Sequence, residues 1–221
     1  MKYIECLKLL WLKLQALQTF GTSPMNPVKK VCVFCASSPG IDKIYFRDAG
    51  LLGKIFVENN IHVVYGGGAA GLMGHMADTI ISGGGGITGI IPQFMKKMNW
   101  SHSRVTEMIE VETMHQRKNM MIHDVDAVVA LPGGVGTLEE LTEVITLKQL
   151  GQFLAPIVIL NTAGYYNHLN EFFHKMMEER FMRHIHKEIW QIVDAPSEVI
   201  PAIENAPHWD GNALKFAAFE D

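Results

Sequence analysis

The chain has 221 residues, 48% of them hydrophobic, and a formal net charge of -4 at pH 7. That length suits one substantial α/β domain with a buried core, and the weak negative charge excludes any general attraction to nucleic acid or to an anionic membrane. Three cysteines, Cys6, Cys32 and Cys35, form no disulfide framework and fit a reducing, cytoplasmic compartment.

Residues 1–20 place Ile4, Leu7, Leu10, Trp11, Leu14 and Leu17 at helical spacing, with Lys8 and Lys13 among them. The apolar run is too short to span a membrane and lacks a small-residue cleavage site, so it reads as an amphipathic helix. A linker follows, with Met25 as an alternative start. Residues 1–27 are thus a helix and linker, 28–206 the compact domain, and 207–221 a loosely held tail.

Within the domain the hydrophobic period alternates between strand and helix. Strands are expected at 29–35, 61–65, 87–91, 108–111, 127–131, 156–160 and 189–193. Helices are expected at 41–59, from the glycine loop to 82, and at 114–123, 137–150, 165–180 and 196–204. Repeated strand-helix units make a Rossmann-like α/β fold, a mainly parallel sheet with helices on both faces and right-handed crossovers. Ligands in such folds bind at the carboxyl ends of the strands.

Cys32-Val-Phe-Cys35 has redox-motif spacing, but in a strand residues three apart point to opposite faces, which makes both core cysteines. Gly66-Gly-Gly-Ala-Ala-Gly71 matches the dinucleotide fingerprint G-x-G-x-x-G in form. The acid that should hold a ribose about twenty positions later is missing, since that region reads Gly89-Ile-Ile-Pro-Gln93. Close packing explains any individual glycine of this loop equally well. Neither glycine loop carries Gly-Lys-Ser/Thr, which disfavours Walker-type NTP hydrolysis. No His-Glu-x-x-His pattern is present and His184-Ile-His186 has no third ligand nearby, so no metal is expected.

The stretch Asp126-Ala-Val-Val-Ala-Leu-Pro-Gly-Gly-Val-Gly-Thr-Leu-Glu-Glu140 runs from a buried strand through a glycine turn into a helix. Gly133, Gly134 and Gly136 remove Cβ atoms that would keep a ligand from the backbone, and Thr137 adds a hydroxyl where the helix begins. Bare N–H groups and the positive helix end favour a phosphate there without a lysine. Upstream, Met114-His-Gln-Arg-Lys118 opens a mainly apolar helix, so Arg117 must reach toward a carboxylate or a phosphate.

These two segments together resemble the paired signature of the LONELY GUY (LOG) family, the cytokinin riboside 5'-monophosphate phosphoribohydrolases. The segments 31–40 and 64–74 are similar to that family's first and second strand-loop units. The resemblance implies hydrolysis of the N-glycosidic bond of a nucleoside 5'-monophosphate to free base and ribose 5-phosphate, with no cofactor. By the same resemblance Arg117 and Glu140 are the catalytic pair. Lys118, Gly133, Gly134, Gly136, Thr137 and Glu139 fall on nucleotide-contacting positions, with Thr146 a weaker carry-over. A neighbouring cation should hold Glu140 ionised.

Residues 92–104 match the family pattern least and are expected to shape the base pocket. Some family members carry a lysine decarboxylase label, but no pyridoxal-lysine context is present. A homodimer is expected. The competing readings are a non-catalytic nucleotide carrier built on the same cleft and a dinucleotide oxidoreductase.

Overall fold

The computed structural model describes residues 27–211. The expected N-terminal helix and most of its linker, and residues 212–221 of the tail, lie outside the described residues.

Seven parallel strands form one sheet in the order β4-β3-β2-β1-β5-β6-β7. They are β1 (Lys30–Phe34), β2 (His62–Tyr65), β3 (Ile87–Pro92), β4 (Glu107–Val111), β5 (Ala127–Ala130), β6 (Ile157–Leu160) and β7 (Trp190–Val193). The helices between them are α1 (Lys43–Glu58), α2 (Gly71–Ser82), α3 (Gln93–Lys97), α4 (Met114–Ile122), α5 (Val135–Gln149), α6 (Asn167–Glu178) and α7 (Val199–Glu204). This is the Rossmann-like architecture expected from the alternating pattern.

β1 is flanked by β2 in the register Val31↔Val63 and by β5 in the register Val31↔Ala127. The chain builds outward from β1 to β4 and then crosses back to β5, so the strand order reverses between β1 and β5. Such a reversal leaves a crevice at the carboxyl ends, because the connections on either side leave in opposite directions.

Alternation along β1 feeds both faces of the sheet. Val31 and Val33 pack in one buried cluster with Leu52, Phe56 and Ile80, while Cys32 and Phe34 join Leu141, Phe173 and Trp190 on the other face. Cys35 belongs to the first cluster, so the two cysteines of the redox-like spacing point to opposite faces as buried free thiols. Burial pushes both thiols well above the ordinary cysteine value.

Several boundaries differ from the sequence expectation for local reasons. α1 starts at Lys43 because the Asp42 carboxylate accepts the Ile44 N–H at 2.9 Å and caps it. α5 starts at Val135, two residues before Thr137, with Gly134 as a cap that supplies no side-chain bond. The expected helix at 165–180 begins only at Asn167, after a tight turn with Ala163 and Gly164 at positive φ. The expected last helix splits into a short 3-10 turn and α7. Trp209, in the stretch assigned to the tail, is buried and its indole N–H donates to the Lys148 carbonyl at 2.6 Å.

Among the described residues no helix is long and apolar enough to cross a membrane. Among them, too, no group of three His, Cys, Asp or Glu side chains could hold a metal ion.

Candidate active site

A cavity of about 550 Å³ opens at the carboxyl ends of β1, β2 and β5. Its floor comes from the loop after β1, where Cys35, Ala36 and Ser37 lie, and from Gly66 and Gly68 after β2. The start of α5 supplies Gly134, Gly136, Thr137 and Glu140, and α4 supplies Met114 and Arg117.

The first turn of α4 is fixed by a reciprocal cap. The Thr113 hydroxyl accepts the Gln116 N–H at 3.1 Å, while the Gln116 side-chain oxygen accepts the Thr113 N–H at 3.2 Å. Arg117 follows directly and turns its guanidinium inward. Nε donates to the Ile90 carbonyl at 3.1 Å, Nη2 to the Gly66 carbonyl at 3.2 Å, and Nη1 to Glu140 Oε1 at 3.0 Å. One side chain therefore ties β3, the β2 loop and α5 together. The planar fork of arginine can serve three directions at once, which a lysine cannot.

Gly66 exists to admit this group: a Cβ there would stand 1.9 Å from Arg117 Nη2. Gly71 has φ +61°, and its Cβ would meet the Ser37 carbonyl carbon at 2.5 Å. These two glycines serve packing and the guanidinium.

The glycines of the second loop behave differently. A Cβ at Gly134 or at Gly136 would meet nothing within 4 Å, although both residues line the cavity. Among the described residues nothing occupies the space that a Cβ would take at either position. Gly133 is structural, since its Cβ would collide with Thr137 Oγ1 at 2.1 Å. The hydroxyl of Thr137 thus sits under the loop in the first turn of α5, rather than at its cap. Leu138 is the first α5 residue whose N–H reaches a main-chain carbonyl, that of Gly134 at 3.0 Å. The N–H groups before it form the positive helix end facing the cavity.

Glu140 is 6% exposed, and burial raises its pKa above the ordinary carboxylate value while Arg117 pulls it down. Arg117 favours the ionised form, as expected, but burial acts the other way and is the larger effect. Loss of water around the carboxylate outweighs the attraction of the guanidinium, and the neighbouring charge of Glu139 adds to the rise.

Part of the cavity wall is apolar. Met73, Ile91, Met95, Trp100 and Met114 line it, and Asn99 adds a polar side chain. The 92–104 segment supplies much of this wall, through the short helix α3, which sequence periodicity missed, and the turn after it. That turn is latched to the β2 loop, with Ala69 N–H donating to the Trp100 carbonyl at 2.9 Å and His102 N–H to the Gly67 carbonyl at 2.9 Å.

Five of the nine residues singled out from the sequence therefore meet in one cavity: Arg117, Gly134, Gly136, Thr137 and Glu140. Gly133 supports them from behind. Lys118, Glu139 and Thr146 do not line this cavity. Lys118 pairs with Glu139 and, at 3.1 Å, with Glu143, contacts that raise its pKa, the Glu139 hydrogen bond most of all. Glu139 and Thr146 border a separate shallow groove on α5, and the Thr146 hydroxyl donates to the Thr142 carbonyl at 2.8 Å.

A family model described as "Possible lysine decarboxylase" matches residues 73–203. A probable cytokinin riboside 5'-monophosphate phosphoribohydrolase of Oryza sativa subsp. japonica is 46% identical over 176 residues, covering 80% of this chain and 72% of that one. A cytokinin riboside 5'-monophosphate phosphoribohydrolase of Arabidopsis thaliana is 44% identical over 180 residues, covering 80% and 83%. The chain belongs to the LONELY GUY family.

Solved structures share the LONELY GUY fold at greater distance. The molybdenum cofactor carrier protein of Chlamydomonas reinhardtii superposes with a TM-score of 0.62 at 18% identity, covering 81% of this chain and 98% of that one. The molybdenum cofactor binding protein of Rippkaea orientalis gives 0.60 at 19% identity, covering 81% and 97%. At that identity the likeness shows the fold alone. Among the described residues no lysine lines the cavity.

Proposed function

We propose that this protein hydrolyses the N-glycosidic bond of a nucleoside 5'-monophosphate, a cytokinin riboside monophosphate or AMP, to free base and ribose 5-phosphate. The observation that carries the reading is the joining of a buried Arg117–Glu140 pair to a helix start whose open glycines line the same cavity. The names of the relatives from rice and Arabidopsis point to the same reaction.

The phosphate sits on the N–H groups from Gly134 to Thr137, where helix dipole and bare donors act together. Glu140 lies one helical turn beyond Gly136, about 5 Å along the axis, the span of a ribose. The base then lies against the apolar part of the wall, with Met73, Met95 and Trp100. As the bond from base nitrogen to anomeric carbon breaks, its electron pair leaves with the base and positive charge gathers on the sugar. Glu140 stabilises that charge and orients the water whose oxygen joins the anomeric carbon; the departing base takes up a proton. Arg117 keeps the carboxylate in place through its three-way anchorage. In this account Lys118 and Glu139 brace α4 against α5.

A non-catalytic carrier would need the phosphate cradle but no carboxylate buried beside the sugar. The discriminating experiment is incubation with AMP and with isopentenyladenosine monophosphate, following base and ribose 5-phosphate by chromatography. Equal amounts of the two products support the enzyme, whereas binding without release supports the carrier.

A homodimer and a cytoplasmic location belong to the same proposal. Met114, Met120, Val135 and Leu138 are exposed apolar side chains on α4 and α5, beside the cavity. Light scattering tests the dimer: a monomer at micromolar concentration contradicts it. The free thiols of Cys32 and Cys35 support a reducing compartment.

A further inference from the structure

An anion-binding loop has two sides. Its N–H groups must face the ligand, and its carbonyl oxygens, which repel an anion, must be turned away and held there. In the loop after β5, four consecutive carbonyls have donors. The Leu131 carbonyl accepts the Tyr166 hydroxyl at 2.7 Å, and the Pro132 carbonyl accepts the Ala36 N–H at 3.2 Å. The Gly133 carbonyl accepts the Tyr165 hydroxyl at 2.6 Å, and the Gly134 carbonyl accepts the Leu138 N–H at 3.0 Å. Two of these donors are neighbouring tyrosines from the other side of β6, more than thirty positions away.

The placement of that pair is itself built. Asn161 follows β6, and its side-chain oxygen accepts the Tyr166 N–H at 2.7 Å. The amide nitrogen of Asn161 donates to Asn167 and Asp194, both at 2.9 Å. Ala163 (φ 55°) and Gly164 (φ 72°) make the tight turn that brings the tyrosines back over the β5 loop. Tyr165 meets Tyr166 edge-to-face at 5.0 Å and Tyr45 at 5.9 Å, which sets its ring direction. Tyr166 is buried and Tyr165 half-exposed.

We propose that Tyr165 and Tyr166 are positioning residues for the phosphate site: by holding the Gly133 and Leu131 carbonyls, their hydroxyls turn the loop's N–H face toward the 5'-phosphate. The inference rests on the phosphoribohydrolase reading above and deepens it. Neither hydroxyl lines the cavity, so neither touches the reacting atoms.

The test replaces only the hydroxyls, with Tyr165→Phe, Tyr166→Phe and the double variant, leaving the ring packing in place. Titration calorimetry with ribose 5-phosphate and with adenine separates the phosphate end from the base end, and hydrolysis of AMP gives kcat and KM. Loss of one neutral hydrogen bond corresponds to about a three- to tenfold change. Tyr165→Phe should weaken ribose 5-phosphate by about that factor and raise KM in parallel, with kcat within about twofold and adenine affinity unchanged; the double variant should lose more. Wild-type affinity for ribose 5-phosphate in the double variant overturns the proposal, and so does equal weakening of both ligands, which marks general loosening. If wild type binds ribose 5-phosphate without hydrolysing AMP, the catalytic reading fails while the calorimetric comparison still decides the role of the tyrosines. If wild type binds no phosphorylated ligand, both fail.

Discussion

Arg117 Nη1 lies 3.0 Å from Glu140 Oε1, and each side chain is 6% exposed. A charge pair taken this far out of water is a weak source of stability, but removing one partner strands the other. Arg117→Ala should therefore cost about 3–5 kcal/mol of folding stability, measurable by denaturant unfolding. Glu140→Gln removes the anion as well and strands the guanidinium, but it keeps an oxygen for Nη1 and the Ile90 and Gly66 contacts, so its loss should be smaller than that of Arg117→Ala without vanishing. Equal destabilisation by the two substitutions contradicts this arrangement.

The raised pKa of Glu140 has a signed consequence for stability. The folded state binds this proton more tightly than the unfolded chain, so the contribution of the protonated carboxyl is present below the ordinary value of 4.5 and is lost as pH rises through the elevated folded value. Relative to Glu140→Gln, the wild type should lose stability as pH climbs above about 4.5 and then level off. Hydrolysis uses the ionised form, so the acid limb of the wild-type rate profile should lie above the usual carboxylate range. A limb at ordinary glutamate pH, with a flat stability difference, contradicts both.

Gly136 offers a test in which stability and binding move in opposite directions. It lies in the first turn of α5 and a Cβ there has open space, so Gly136→Ala should stabilise the fold by about 0.5–1 kcal/mol. The same methyl enters the phosphate space and should raise KM for the nucleotide. Gly66→Ala should do the reverse of the first effect, because its Cβ falls 1.9 Å from Arg117 Nη2 and must displace the guanidinium. Thermal melts and initial rates on the two variants give both readouts.

Trp100 and Met95 are apolar residues lining the cavity. Trp100→Ala should reduce kcat/KM for isopentenyladenosine monophosphate more than for AMP, by about the tenfold that loss of a few buried methylene contacts allows. An equal drop for both substrates would place the base elsewhere.

The parts of this site legible in the sequence were those with strong local chemistry. The apolar strand, glycine turn and acidic helix from 126 to 140 could be read directly, and Arg117 stood out because a cation in an apolar helix needs a partner. What stayed hidden depends on relations across distant segments. Nothing local separates the space-filling role of Gly66 from the open role of Gly134, since each looks the same until the neighbours are in place. Tyr165 and Tyr166 read as the start of a helix, and only the left-handed turn at Ala163 and Gly164 delivers their hydroxyls to the β5 loop. The helix at 93–97 leaves no periodic signal, because five residues are too few to show one. The sequence shows the cation beside Glu140 but not the degree of burial that raises its pKa.

Hydrolysis directed by Glu140 is tested by comparing base release from AMP and isopentenyladenosine monophosphate by wild type and Glu140→Gln, with ribose 5-phosphate affinity measured on both. The wild type should release base, the variant should lose at least about a hundredfold, and the two should bind ribose 5-phosphate with similar affinity. Full hydrolytic rate in a folded Glu140→Gln protein would contradict that role of Glu140.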